Sequence, residues 1–199
     1  MSRLVETIKV ENGILLNISF HNERMIRSLY GVFGLRNEPD LEKIINVPEF
    51  ASKGVYRCRV EYDQTIRKIE FLPYKIKPVN SLKLIKNNEI DYRYKFVNRN
   101  AIDRLMANRG ECDDIIIVKK GFITDSSYAN LIFIDQSGNW VTPETFLLKG
   151  TRRTGLLKTG KIKMAPISVN DLCNYSEMKL INAMLGIDDT EGIPVSNII

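Results

Sequence analysis

The sequence contains a single histidine among its 199 residues, one tryptophan and three cysteines. One histidine excludes most zinc constellations, which draw on several imidazoles or on paired thiolates. Cys58, Cys112 and Cys173 are far apart, with neither the close spacing of a metal site nor the density of a disulfide scaffold. Reduced thiols are the expectation. No apolar run approaches the roughly 20 residues of a membrane-spanning helix, and the opening MSRLVETIKV lacks the apolar core of a secretory signal. A cytoplasmic location is expected on that basis. Neither an internal repeat nor a low-complexity stretch is visible, which excludes solenoids and disordered linkers.

What is present is ordinary for a globular chain. Hydrophobic residues make up 44% and charged residues 27%, enough to bury one large core or two small ones. The formal charge is +5, but its lysines and arginines are scattered among nearly as many carboxylates. A mildly basic surface or a small anionic ligand accounts for the excess as well as a polynucleotide does. No nucleic-acid or membrane partner is expected.

Residues 4–10 alternate apolar and polar side chains, Glu11-Asn12-Gly13 is a turn signal, and residues 14–18 read as the returning strand of a hairpin. From Asn22 the spacing of Met25, Ile26, Leu29, Val32 and Phe33 is that of a helix. Residues 40–45 predict a second short helix, stopped before Pro48. Residues 54–62 and 66–76 form another hairpin around Asp63-Gln64. In its first strand Arg57, Arg59 and Glu61 share one face, and Tyr56, Cys58 and Val60 the other. Pro73, Pro78 and Asn80-Ser81 mark a linker over residues 76–81.

Beyond the linker, strands are expected at residues 82–85, 115–118, 129–135, 140–141, 162–167 and 179–184. Helices are expected at 99–109, with Ile102, Leu105 and Met106 inward, and at 151–158, with a helical turn at 169–175. This mixture predicts an α+β fold of two α/β-type domains, residues 1–76 and 77–199, meeting at a cleft.

The stretch from Gly121 to Arg153 carries the strongest chemical signals. Asp125 lies in a polar Thr124–Ser127 segment that reads as a turn, and Asn130 opens the apolar run Leu131–Ile134. On residue type alone, a turn aspartate capping its neighbours explains Asp125 equally well. Leu147-Leu148-Lys149-Gly150-Thr151-Arg152-Arg153 then leads into a helix. A Gly-Thr pair at such a start leaves N–H groups facing a possible anion. Lys95 stands between Tyr94 and Phe96, where partial desolvation would lower its pKa and free the amine to attack an aldehyde; a solvated surface lysine is the plainer alternative. Arg24, in His21-Asn22-Glu23-Arg24, offers a guanidinium fork suited to phosphate. Arg57 and Arg59 could grip a substrate carboxylate or simply form a polar sheet face.

In their order, Glu6-Thr7, His21-x-x-Arg24, Lys95-x-x-Asn98-Arg99, Asp125, Leu148 to Arg152 and Asn182-Ala183-Met184 resemble the class IV aminotransferase family, the fold type IV pyridoxal-phosphate enzymes. Within it, Asn98-Arg99 and Asn182-Ala183-Met184 resemble the aminodeoxychorismate lyases. The resemblance implies pyridoxal 5'-phosphate between two domains, the larger one (77–199) carrying the cofactor lysine, and a homodimer. It implies that Lys95 forms the Schiff base and moves the substrate α-proton, and that Asp125 faces the pyridine nitrogen and keeps it protonated. Leu148 would pack on the ring. Arg24 and the backbone N–H groups of Thr151 and Arg152 would hold the phosphate, with Asn182 and Ala183 approaching it from the other side. The family's usual residue at Asp125 is Glu followed by Gly, so this carboxylate is one methylene shorter.

The activity so implied is lyase-like: release of pyruvate from 4-amino-4-deoxychorismate to give 4-aminobenzoate, a step of folate biosynthesis. A class IV aminotransferase acting on a branched-chain or D-amino acid is the alternative. A third reading is a shortened relative that binds the cofactor without turnover, because the family's Asp-Arg-Gly segment does not precede the Glu6-Thr7-Ile8 strand.

Overall fold

Alternation at the start of the chain becomes a sheet with one apolar face. In the computed structural model, which describes residues 3–199, β1 (Leu4–Glu11) turns at Asn12-Gly13 into the short β2 (Ile14–Leu15). Helix α1 (Ile18–Phe33) follows at once. The returning strand is therefore shorter than expected and the helix starts earlier. The cause is Asn17, whose left-handed backbone (φ 56°) ends the extended run; asparagine tolerates that region better than most residues. Helix α2 (Leu41–Ile44) is capped by Asp40, whose side chain accepts the Glu42 N–H.

Strands β3 (Val55–Tyr62) and β4 (Ile66–Pro73) complete an antiparallel sheet of order β2-β1-β3-β4. Its inner face, with Leu4, Ile8, Val10, Cys58, Val60 and Tyr62, packs against Met25 and Leu29 of α1. Burying each such side chain contributes about 1.5–3 kcal/mol.

The chain divides into two compact units. The first runs to Ile76 and takes back Tyr94–Asn98; the second comprises Lys77–Arg93 and Arg99–Ile199. Lys95 is thus part of the first unit and not, as expected, of the larger C-terminal one. The physical reason is pairing with β1: the Val5 N–H donates to Lys95 O and the Val97 N–H to Arg3 O, both at 2.9 Å, and Leu4 bridges Phe96.

In the second unit β5 (Leu82–Lys86) lies parallel to β6 (Asp114–Lys119), with α3 (Asn100–Met106) between them in sequence. Helix α3 is shorter than expected, and of Ile102, Leu105 and Met106 only Ile102 is fully buried. Strands β7 (Phe122–Ser126), β8 (Asn130–Ile134) and β9 (Trp140–Pro143) continue antiparallel. After α4 (Thr151–Lys158), β10 (Lys163–Ala165) adds parallel to β9. Strand β11 (Glu177–Ile181) pairs with β8 and with β12 (Ile193–Pro194).

One core joins Leu82, Ile116, Ile123, Leu131, Phe133 and Met178. A smaller one places Leu156 of α4 against Ile132 and Ile181. Two expectations change here. Asp125 lies in a strand and not in a turn, and the last buried strand stops at Ile181. Asn182 there closes a tight turn, its side chain accepting the N–H groups of Met184 (2.8 Å) and Leu185 (3.1 Å).

Candidate functional site

In the second unit, most of the sequence-predicted residues gather at one row of strand ends. Asp125 of β7 pairs with Asn130 of β8, and Asn130 pairs on with Ile181 of β11. The Asn182-Ala183 turn therefore begins beside Asn130.

Asp125 reaches its position through a β-bulge. Ile116 of β6 faces Ser126 and Val118 faces Ile123, so Thr124 and Asp125 together oppose the single residue Ile117. A bulge of this kind bends the strand and re-aims a side chain. Thr124 secures it, its hydroxyl donating to Ile117 O at 2.6 Å. Just beyond, the Ser126 hydroxyl accepts the N–H groups of Tyr128 and Ala129 and closes the β7–β8 turn.

The re-aimed carboxylate organises the Leu147–Gly150 turn. Asp125 Oδ2 accepts the N–H groups of Leu147 and Leu148, each at 2.9 Å, and Oδ1 accepts Asn130 Nδ2 at 2.8 Å. Asn130 Nδ2 also donates to Leu148 O at 2.9 Å. Asn130 Oδ1 fills the space that a Cβ at position 150 would need, so only glycine fits there. Burial pushes the Asp125 carboxyl up to about 6, against the pull of the Leu148, Asn130 and Leu147 donors and of Arg153. Leu148 is half-buried.

Helix α4 begins directly after this turn. Gly150 supplies no side-chain cap, the first turn has no acidic residue, and the intrahelical ladder starts with the Thr154 N–H on Gly150 O. First-turn amides ahead of the ladder are the groups that receive anions. Arg153 braces the helix from below, with Nε donating to Thr142 Oγ1 (3.1 Å) and Nη2 to Pro143 O (2.8 Å). Its guanidinium lies 4.5 Å from the Phe146 ring centroid. Arg152 Nε is buried and has no partner among the described residues. The same guanidinium flanks Gly186, just past the Asn182–Leu185 turn.

The first unit carries Lys95, Arg24, Arg57 and Arg59. Tyr94 and Phe96 form an edge-on pair (centroids 6.2 Å, 76°), and the Tyr94 hydroxyl sits against Gly31 of α1 where a Cβ would otherwise be. The Phe96 N–H turns back to Tyr94 O at 3.0 Å, which places the half-buried Lys95 at the apex of a tight bend. Arg24 is buried and bound to Glu6 by two hydrogen bonds. Arg59 is committed to ion pairs with Glu61 and Glu70. Arg57 Nε is buried without a partner among the described residues.

Three contributors escaped the sequence reading of roles: Glu6, Asn130 and Gly31. Glu6 had a signal, because it falls on the apolar phase of β1 with Leu4, Ile8 and Val10. Asn130 had a weaker one, as the polar residue opening an otherwise apolar strand.

This donor set fits pyridoxal 5'-phosphate. A carboxylate offers about four acceptor positions, and three N–H groups occupy Asp125, leaving Oδ1 room for one more. A protonated ring nitrogen is such a donor, and its charge would offset the burial that raises this carboxyl. The uncapped start of α4 and the buried Arg152 Nε suit a phosphate.

The sequence matches the family described as amino-transferase class IV over residues 3–197. An uncharacterized protein of Haemophilus influenzae is 38% identical over 190 residues, covering 94% of this chain and 100% of that protein. The crystal structure of a proposed 4-amino-4-deoxychorismate lyase from Haemophilus somnus 129pt is 37% identical, with a TM-score of 0.88 over 94% of this chain and 98% of its own. A proposed amino-acid aminotransferase from Mesorhizobium loti shares the fold at 20% identity, with a TM-score of 0.80 over 98% of each chain. The chain belongs to the class IV aminotransferase family of fold type IV enzymes, whose cofactor is pyridoxal 5'-phosphate.

Proposed function

We propose that the protein is a pyridoxal-phosphate enzyme that releases pyruvate from 4-amino-4-deoxychorismate to leave 4-aminobenzoate. The observation that carries the cofactor chemistry is the bulge-aimed Asp125, buried, held by three N–H groups and tied through Asn130 to the uncapped start of α4. The lyase assignment is supported by Asn98-Arg99 and Asn182-Ala183-Met184, and by likeness to the H. somnus protein.

In this reading Lys95 Nζ would be the amine that holds the cofactor and, when free, the base that takes the proton from the substrate carbon bearing the amine. When bound, the cofactor supplies an electron sink for the electrons so released. Asp125 would hold the ring nitrogen and its proton, and Leu148 would border the ring. Thr151 and Arg152 offer backbone N–H groups to the phosphate, with Arg24 and the Asn182-Ala183 turn as its further contacts. Arg57, whose Nε has no partner among the described residues, is the better candidate of the two β3 arginines for a substrate carboxylate. A homodimer and a cytoplasmic location remain part of the proposal; among the described residues no helix is long and apolar enough to cross a membrane.

Transamination of a small branched-chain or D-amino acid is the second reading, favoured by the family description itself. Both reactions draw the same proton and differ in what leaves. Incubating the cofactor-loaded protein with 4-amino-4-deoxychorismate, and separately with an amino-acid panel and 2-oxoglutarate, distinguishes them. Formation of 4-aminobenzoate and pyruvate in equal amounts supports the lyase. Keto-acid formation alone replaces it with the aminotransferase, and silence in both arms leaves a cofactor-binding protein without turnover.

A further inference from the structure

The strand that opens the first unit carries a charge where its pattern asks for an apolar residue. Glu6 lies between Leu4 and Ile8 on the β1 face that α1 covers, and it is 0% exposed. Its carboxylate receives a two-bond fork from Arg24, Nε to Oε1 at 2.8 Å and Nη2 to Oε2 at 2.5 Å. His21 Nδ1 lies 2.5 Å from the same Oε2. All three side chains are buried.

The protonation states follow from the geometry. Burial alone would raise Glu6, but the Arg24 charge and the bonds from His21 and Arg24 hold its carboxyl down to about 2. An ionised carboxylate only accepts, so His21 Nδ1 carries the proton and donates. Burial, with Arg24 and Lys95 nearby, keeps His21 below its ordinary value despite Glu6. The ring is therefore neutral at pH 7, with Nε2 as its acceptor.

One carboxylate thus fixes the guanidinium plane of Arg24 and the tautomer of His21 together. Such an arrangement is weak as a source of stability, since desolvating the ions costs about as much as their pairing returns. As an orienting device it is strong, because a two-bond fork leaves the guanidinium no freedom to rotate.

We propose that Glu6 is a positioning residue: by gripping two N–H groups of Arg24, it presents the rest of the guanidinium to the ligand's phosphate. This rests on the cofactor reading above. Glu6→Gln keeps the shape but sets an N–H against Arg24 or His21, so the fork cannot close.

The test is a binding titration of the apo protein with pyridoxal 5'-phosphate and with pyridoxal, which lacks the phosphate, for wild type, Glu6→Gln, Arg24→Gln and the double variant. Wild type is expected to favour the phosphorylated ligand. Glu6→Gln is expected to lose on the order of tenfold in affinity for pyridoxal 5'-phosphate and nothing for pyridoxal, and the double variant to be no worse than Arg24→Gln. Equal weakening of both ligands would reduce Glu6 to a structural role and overturn the proposal, as would no change in either. Wild type without preference for the phosphorylated ligand overturns the role of Arg24 and this proposal with it; wild type binding neither overturns the cofactor reading first. If Glu6→Gln does not fold, Glu6→Asp keeps the charge but draws it back by a methylene. It is expected to lose part of the same preference, and full retention contradicts the proposal.

Discussion

Asn130 and Gly150 are complementary: the side-chain oxygen of Asn130 occupies the volume that any Cβ at position 150 would claim. Asn130 Nδ2 at the same time bridges Asp125 Oδ1 and Leu148 O. The group expected to face a cofactor ring and the turn expected to face its phosphate are therefore one hydrogen-bonded body.

Gly150→Ala should break that body. The new methyl forces the Asn130 side chain out, against the two hydrogen bonds that hold it. A loss of about 1–3 kcal/mol is expected, as for other overpacked sites, together with weaker cofactor binding. Thermal unfolding of the apo protein and a pyridoxal 5'-phosphate titration measure the two effects.

Asn130→Asp places a second carboxylate against Asp125 with no new cation. Two such groups cannot both ionise at low cost. The variant should melt below wild type at pH 7, and the gap should narrow as the pH is lowered toward 5. A gap that is constant with pH would mean that the two side chains have separated.

The pH dependence of the apo protein should show Asp125 directly. Its folded pKa is raised from 3.8 to about 6, so its contribution is fully present below 3.8 and is lost as the pH rises through 6. Stability should fall by about 2–3 kcal/mol across that window. Glu6 acts the other way and lower down: held at about 2 against 4.5, it contributes above 4.5 and is lost as the pH falls through 2. Urea unfolding of wild type and Asp125→Asn, at steps from pH 4 to 7, should show the upper decline in wild type only.

The β3 arginines should separate. Arg59 is engaged by Glu61 and Glu70, whereas Arg57 Nε is buried without a partner among the described residues. If Arg57 meets a substrate carboxylate, Arg57→Ala should raise KM about tenfold with the cofactor Kd unchanged, a loss of the size of one charge-assisted contact. Arg59→Ala should have the smaller effect. Steady-state kinetics beside a cofactor titration provides the comparison.

The sequence was informative where signals are local. The Gly150-Thr151 start and the extent of α4 were legible because the turn and the apolar Leu156-Leu157 pair lie within one short stretch. The hairpin at Asn12-Gly13 was legible for the same reason. Strand β7 was not, since Thr124 to Ser127 is polar and reads as a turn; only pairing with β6 on both sides of the bulge makes it a strand, and register is a property of two segments. Placement of Lys95 in the first unit depends on pairing with β1, some ninety residues earlier in the chain. Asn130 was visible as a residue but not as a bridge, because Leu148 and Gly150 lie a full strand and turn away. Glu6 broke the apolar phase of β1, yet its partners on α1 could be named only from the packed structure.

The most direct measurement is a borohydride reduction of the protein incubated with pyridoxal 5'-phosphate, followed by peptide mass mapping, on wild type and Lys95→Ala. A reduced cofactor adduct on the peptide containing Lys95, lost with its visible absorbance in the variant, is the predicted result. An adduct that persists in Lys95→Ala, or none in wild type, would contradict the account at its centre.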